Sequence, residues 1–269
     1  MNAADNHNII DTSIPHPARR YNFWLGGKDN FAADRESAAR IAAAFATVED
    51  AAVENWRFMR RAVKHFSERG FDQFLDIGCG IPVSPTVHEI AKDARVVYAD
   101  NDPLVMAHSR ALRTGDFVSY IEADLRDPDT ILADPALEIF DFTRPIVLLL
   151  VAVVHFLTDD DDPYGNVAKL IGALPPGSIV VLSSGDETLH QFDGTADSAN
   201  GRFRARSKDE VLRFVDGLDI SEPGIRSVVE WFPEVEPVPE SSAVEVSAYG
   251  VIATVPKNSD KIRGLNENG

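Results

Sequence analysis

Cysteine is nearly absent. Cys79 stands alone in 269 residues, which excludes an intrachain disulfide and any metal site built from several thiolates. Long apolar runs are missing too. The longest, 146–154, falls well short of the roughly 20 residues that a membrane-spanning helix needs. The opening stretch through Arg19-Arg20 has no basic segment followed by an apolar one, so no secretory signal is expected. Positive charge is scarce: 26 Lys and Arg stand against 43 Asp and Glu, a formal net charge of −17. Gripping a phosphate backbone requires a cationic stripe that displaces counterions. The one basic cluster, Arg57, Arg60, Arg61 and Lys64, reads as a single solvated helix face. These absences predict a cytoplasmic protein with no membrane and no nucleic-acid partner. They leave its oligomeric state open.

What is present is a switch of periodicity. Residues 1–15 and 257–269 read as flexible tails. A short helix with an aromatic cluster (Tyr21, Phe23, Trp24) is expected over 17–25, ended by Gly26-Gly27. From 31 to 69 apolar residues recur at helical spacing, with one break near Thr47. Together, 16–70 form an N-terminal helical lid. From 71 to 256 short apolar runs alternate with helical segments. Strands are expected at 73–77, 96–99, 118–122, 146–151 and 179–183, and helices at 85–92, 103–113, 129–133 and 163–174. Such alternation predicts an α/β fold with a doubly wound, mostly parallel sheet. Residues 185–206 are polar and weakly periodic, an insertion over the carboxyl edge of the sheet. A helix at 208–215 and two strand-like runs, 226–232 and 244–255, then predict a C-terminal antiparallel hairpin.

Three strand ends carry suitable polar groups. The first strand runs into Asp76-Ile77-Gly78-Cys79-Gly80. Glycines there let backbone approach a ligand closely, and Asp76 can accept hydrogen bonds from an amine or orient the loop. A tight structural turn is the alternative. The second strand ends in Asp100, followed by Asn101 and Asp102. An acidic residue roughly twenty positions after the glycine loop is placed to accept both hydroxyls of a ribose. Asp102, before Pro103, reads also as a helix cap. The third strand ends in Ala123-Asp124-Leu125, where a carboxylate can accept from an adenine amine beside an apolar wall; a cap or turn is the alternative. Together they describe a nucleoside crevice.

The loop narrows the choice of nucleoside. A dinucleotide needs a pyrophosphate cradle, usually with a third glycine, whereas Ile81, Pro82 and Val83 follow Gly80 and no Lys or Arg lies nearby. S-adenosylmethionine, which has no phosphate, fits better than NAD(P). An NAD(P)-binding oxidoreductase and a non-catalytic S-adenosylmethionine-binding protein remain as alternatives.

The three segments 74–82, 98–103 and 122–128 resemble the cofactor motifs of class I S-adenosylmethionine-dependent methyltransferases. More narrowly, Leu25-Gly26-Gly27-Lys28-Asp29-Asn30-Phe31-Ala32-Ala33-Asp34-Arg35-Glu36 resembles the signature of an uncharacterised group, methyltransferase family nineteen. The run from Leu149 to Phe156 and the acidic Asp159–Asp162 before Pro163 are similar to that group as well. The resemblance spans 17–256 and implies a methyltransferase fold and its cofactor but names no acceptor; a small-molecule acceptor is expected from the three strand-end motifs and the missing phosphate loop. It also implies that Tyr21, Gly26, Gly27 and Lys28 fold across the cofactor, with Lys28 meeting the methionyl carboxylate. Core packing of Tyr21 and a helix-end role for Lys28 are the alternatives. The chain departs from the family in Cys79, where Thr is more usual, and in a divergent 185–206.

His155, after the fourth strand, is the candidate catalytic base; a satisfied structural histidine is the alternative, since methyl transfer gains mostly from alignment. Val151 and Ala152 are expected to touch the cofactor through backbone. Asp159–Asp162 lacks the alternating spacing and glycine of a calcium loop and reads as a solvated helix start, so no metal is expected.

Overall fold

The computed structural model describes residues 10–111, 117–192, 203–237 and 246–257. Most of both expected tails, residues 193–202 of the polar insertion and the loop 238–245 lie outside the described residues.

Five strands form the parallel part of one sheet: β1 (Gln73–Ile77), β2 (Arg95–Asp100), β3 (Val118–Glu122), β4 (Val147–Val151) and β5 (Ile179–Gly185). The order across the sheet is β3-β2-β1-β4-β5. The chain therefore builds outward from β1 to β3 and returns to β4 on the other side. That reversal opens a crevice between the carboxyl ends of β1 and β4, where open α/β sheets bind ligands. The expected strands agree with these bounds to within a residue or two.

The antiparallel end differs in detail from expectation. The last strand, β8 (Ala248–Thr254), runs antiparallel to β5. A short β6 (Asp219–Ile220), absent from the sequence reading, pairs with its other side. The expected strand 226–232 shrinks to β7 (Arg226–Ser227), which pairs with β8, and then tightens into a 3-10 turn at Val228–Glu230. The cause is Arg61. It is fully buried, and its guanidinium takes the carbonyls of Trp231 at 2.7 Å and Val228 at 2.8 Å. Those two bonds hold the 228–231 backbone in the turn rather than extended along β8. Arg61 thus also departs from the solvated face expected of the basic cluster.

Both faces of the sheet are covered. On one, Leu75, Val97, Leu148, Leu150 and Leu182 pack with Ile131 of α6 (Pro128–Ala133) and Val167 and Leu170 of α7 (Pro163–Gly172). On the other, Phe74, Val96, Val147, Leu149 and Ile252 meet Phe58, Ala62, Val63 and Phe66 of α3 (Val48–Ser67). Period-two alternation along each strand sends successive side chains to opposite layers. The 16–70 segment is accordingly split in role. Its third helix closes the core, while α1 (Pro17–Trp24) and α2 (Ala32–Ala44) roof the crevice.

The roof is held by charge. Arg19 is buried, and its guanidinium clamps both oxygens of Asp102 at 3.1 and 3.0 Å. His16 Nδ1 lies 3.1 Å from the same carboxylate, and the Leu104 amide donates to it, which caps α5 (Pro103–Ala111). The family-like signature builds the α1–α2 turn. Gly26 ends α1 at φ +78°. The Asn22 amide oxygen accepts from the Asp29 amide and from Asn30, and Asp34 accepts from the amides of His16 and Phe31.

Removing one partner of a buried pair leaves the other uncompensated, at a cost of about 3–5 kcal/mol. Asp102→Ala should therefore lower unfolding free energy by about 3 kcal/mol in urea titrations. A loss under about 0.5 kcal/mol, the range of an unremarkable surface change, would show that the roof is anchored elsewhere.

Candidate active site

Beneath the roof lies a cavity of about 460 Å³, within the range of small-ligand sites. Its floor is the carboxyl edge of the sheet. Asp76, Gly78, Cys79, Gly80, Asp100, Asn101, Ala123, Asp124, Leu125, Val151, Ala152 and His155 all line it, and Tyr21 faces it from the roof. Gly26, Gly27, Lys28 and Asp102 do not. Lys28 is exposed, and the Asn22 side chain occupies the space against Gly27. Asp102 is spent on Arg19.

Each polar group has a definite setting. Asp76 is buried, and among the described residues no donor reaches its carboxylate. Burial and the neighbouring Asp100 push it up to about 7. Asp100 receives the Gly80 amide at 2.8 Å and the Asp102 amide at 2.9 Å. Burial raises it to about 6, against the pull of those amides. Asp124 is more committed. Arg126 meets it at 2.9 Å and the Asn101 side chain at 2.6 Å. Arg126 continues to the Phe156 carbonyl, fixing the end of β3 to the turn after β4.

Gly78 has φ +71°, and a Cβ there would sit 2.5 Å from Val153. Only glycine fits, so backbone at this turn is left open toward the crevice. The helix after the loop, α4 (Val87–Ile90), starts seven residues beyond Gly80 and is a single turn. The expected helix 85–92 is thus much reduced, and no long helix N-terminus points at the glycines, as a pyrophosphate would require.

A hydrogen-bond chain crosses the cavity wall. The Tyr21 hydroxyl donates to the Ala52 carbonyl at 2.9 Å and accepts from Asn55 at 3.0 Å. Asn55 accepts from the Ser183 hydroxyl at 2.6 Å, which accepts from the Ala152 amide at 2.9 Å. Ala152 is held at φ +54°. The chain therefore couples α1, α3, β5 and the end of β4. Sequence reasoning missed Asn55 and Ser183. The available signals were an amide on the apolar stripe of α3 and a Ser-Ser pair closing an otherwise aliphatic strand.

His155 is buried, and its Nδ1 accepts from the Gly185 amide at 3.1 Å. The neutral ring then carries its proton on Nε2. Burial and the nearby Arg206 push its pKa down to about 3. A ring with its lone pair engaged and so little basicity is a donor, which favours the structural reading over the catalytic one. In the acidic run, Asp161 pairs with Arg126, and Asp162 caps α7 by accepting from Gly165. Among the described residues no three His, Cys, Asp or Glu side chains converge as a metal-holding group. No helix there is long and apolar enough to cross a membrane.

This geometry meets its relatives in comparison. A family model for S-adenosyl methyltransferase, number nineteen of that name, matches residues 3–256. The chain belongs to this family. A DUF574 family protein from Streptomyces avermitilis is 36% identical with a TM-score of 0.82, over 92% of this chain and 100% of the other. A candidate methyltransferase from Thermobifida fusca is 32% identical with a TM-score of 0.83, over 92% of this chain and 97% of the other. The N-methyltransferase NodS from Bradyrhizobium japonicum, solved with S-adenosyl-L-homocysteine, shares the fold alone at 13% identity and a TM-score of 0.50, over 88% and 99%. A search of curated proteins finds no match. The protein is an S-adenosylmethionine-dependent methyltransferase of the class I fold.

The raised Asp76 sets a pH signature. Its folded value near 7 exceeds the ordinary 3.8, so the folded state binds more protons than the unfolded chain between these values. The contribution to stability is fully present below 3.8 and is lost as pH rises through about 7. Asp76→Asn, neutral throughout, should remove that slope. Calorimetry without ligand should show it melting a few degrees above the parent at pH 8 and much closer to it at pH 4. Equal differences at both pH values would contradict a strained, buried carboxylate.

Proposed function

We propose that the cavity holds S-adenosylmethionine along the sheet edge and a small-molecule acceptor under the roof. The observation that carries this reading is Asp76, a buried carboxylate with no donor among the described residues, at the point where strand order reverses. An α-ammonium group supplies the missing positive partner, in a charge-assisted hydrogen bond stronger than a neutral one. Asp100, already oriented by two backbone amides, keeps lone pairs for the ribose hydroxyls. Asp124 and Asn101 offer polar edges to the adenine beside Leu125 and Ala123. The open backbone at Gly78-Cys79-Gly80 lets the ligand approach closely, and Val151 and Ala152 flank the sulfonium side.

The methionyl carboxylate needs a cation. Lys28 was expected to serve, but it is exposed and off the cavity. Arg20 is the better residue: it is buried, lines the cavity and is steadied by the Ser37 hydroxyl at 3.3 Å. S-adenosylmethionine supplies a methyl group on a positively charged sulfur, which an aligned nucleophile can take directly. The chain's own part is to orient both ligands and exclude water, which supplies most of the acceleration such a transfer needs. The absence of a basic stripe supports a small acceptor rather than a nucleic acid, and the lone thiol of Cys79 suits a cytoplasmic enzyme.

Isothermal titration with S-adenosylmethionine tests the reading. Asp76→Asn and Arg20→Gln should each weaken binding about 10- to 100-fold, the worth of one hydrogen bond to a charged group. Lys28→Ala should change it less than about threefold. Asp76 is partly protonated in the free site and ionised beside an ammonium, so binding should release protons at pH 6–7 and almost none at pH 8.5. No binding to the parent protein would overturn the assignment. Equal affinity in Asp76→Asn would remove the residue on which it stands.

A further inference from the structure

The cavity is larger than its carboxylate edge, and the remainder differs in character. Away from the strand ends its wall is mostly apolar, with Trp24, Phe45, Met59, Phe192 and Phe203 and a single charged side chain, Arg40, among the described residues there. Phe45, which follows α2, and Phe192, beyond β5, bring their rings to 6.3 Å and close the space from two sides. Phe203 lies 5.1 Å from the His155 ring. Such walls select a flat, apolar molecule. Their ring faces also attract a cation once it is out of water.

Proton acceptors are the scarce commodity here. His155 Nδ1 is taken by the Gly185 amide. The Tyr21 hydroxyl already donates to Ala52. Asp124 is covered by Arg126 and Asn101, and the free lone pairs of Asp100 are assigned to the ribose hydroxyls. Asp76 is assigned to the ammonium group. An acceptor hydroxyl would have to shed a proton during transfer, and among the described residues no carboxylate or imidazole on the apolar wall is set to receive it.

Building on the cofactor assignment above, we propose that the methyl acceptor is an uncharged nitrogen heterocycle, methylated on a ring nitrogen while held between the aromatic walls. The step balances without a base. The nitrogen lone pair forms the new N–CH3 bond, the C–S bond breaks, and its electron pair stays on sulfur. Positive charge moves from sulfur to nitrogen and no proton is displaced. A pocket that accommodates the sulfonium then accommodates the N-methyl cation. The Phe45, Phe192 and Trp24 ring faces supply the stabilisation that desolvation removes.

The test incubates the full chain with S-adenosylmethionine and shape-matched probes: quinoline, isoquinoline and 1-phenylimidazole against 1-naphthol and 2-naphthol. Mass spectrometry should find the N-methyl cation of at least one heterocycle, with kcat/KM about 100-fold or more above either naphthol, the range assigned to a missing general base. Phe192→Ala should raise KM for that heterocycle about tenfold, as a lost apolar contact does, with the affinity for S-adenosylmethionine unchanged. Naphthol ethers formed at comparable rates would overturn the proposal. So would failure of all three heterocycles both to react and to bind the S-adenosylhomocysteine-loaded protein by calorimetry. An unchanged KM in Phe192→Ala would remove the aromatic seat. Failure of S-adenosylmethionine itself to bind is a separate result: it defeats the cofactor assignment and this inference together.

Discussion

The site depends first on one buried ion pair. Arg19 on the roof helix and Asp102 at the turn after β2 are both almost without solvent contact, so their attraction is little screened by salt or water. Asp102 also lends its amide to Asp100 and its carboxylate to the start of the next helix. One residue, through its backbone and its side chain, thereby positions the roof, the Asp100 carboxylate and the start of α5 relative to one another. Such a pair is weak as a source of net stability, because desolvation offsets most of the attraction. Its value is geometric. It leaves α1 one place to sit, and Tyr21 then reaches the chain through Asn55 and Ser183 to the end of β4.

Against that anchored roof stands a floor of unfavourable charge. Asp76 and Asp100 lie close enough for one to raise the other, and among the described residues neither meets a basic side chain. Two buried carboxylates this close cost stability, as arrangements at functional sites commonly do. The neighbouring Asp124, neutralised by Arg126, shows the alternative the chain uses where no cationic ligand group is expected.

The sheet was legible from residue pattern because parallel strands buried on both faces are short aliphatic runs, and the five from β1 to β5 are of that kind. Strand-end carboxylates were legible because each follows such a run directly. The roof was half legible. Its glycines and Lys28 look like ligand contacts in one dimension, yet Gly26 and Gly27 serve the α1–α2 turn and Lys28 faces solvent. Arg61 was read as part of a solvated face, whereas Asp102 is the helix cap its place before Pro103 suggests; in both, only tertiary structure reveals a buried partner eighty or more residues away. β6 was invisible because two residues carry no period. For His155, the position just after β4 was legible, but its setting turns on a hydrogen bond from Gly185 that no spacing encodes.

The place of β8 has a consequence for biosynthesis. It lies between β5 and both short strands, yet it is the last to leave the ribosome. Until then β5 presents an open, aliphatic ladder edge, and residues 219–227 have no strand to join. Unpaired edges of this sort recruit other chains. A chain made only as far as residue 247 therefore carries an open seam along β5, closed when Ala248–Thr254 pairs with it.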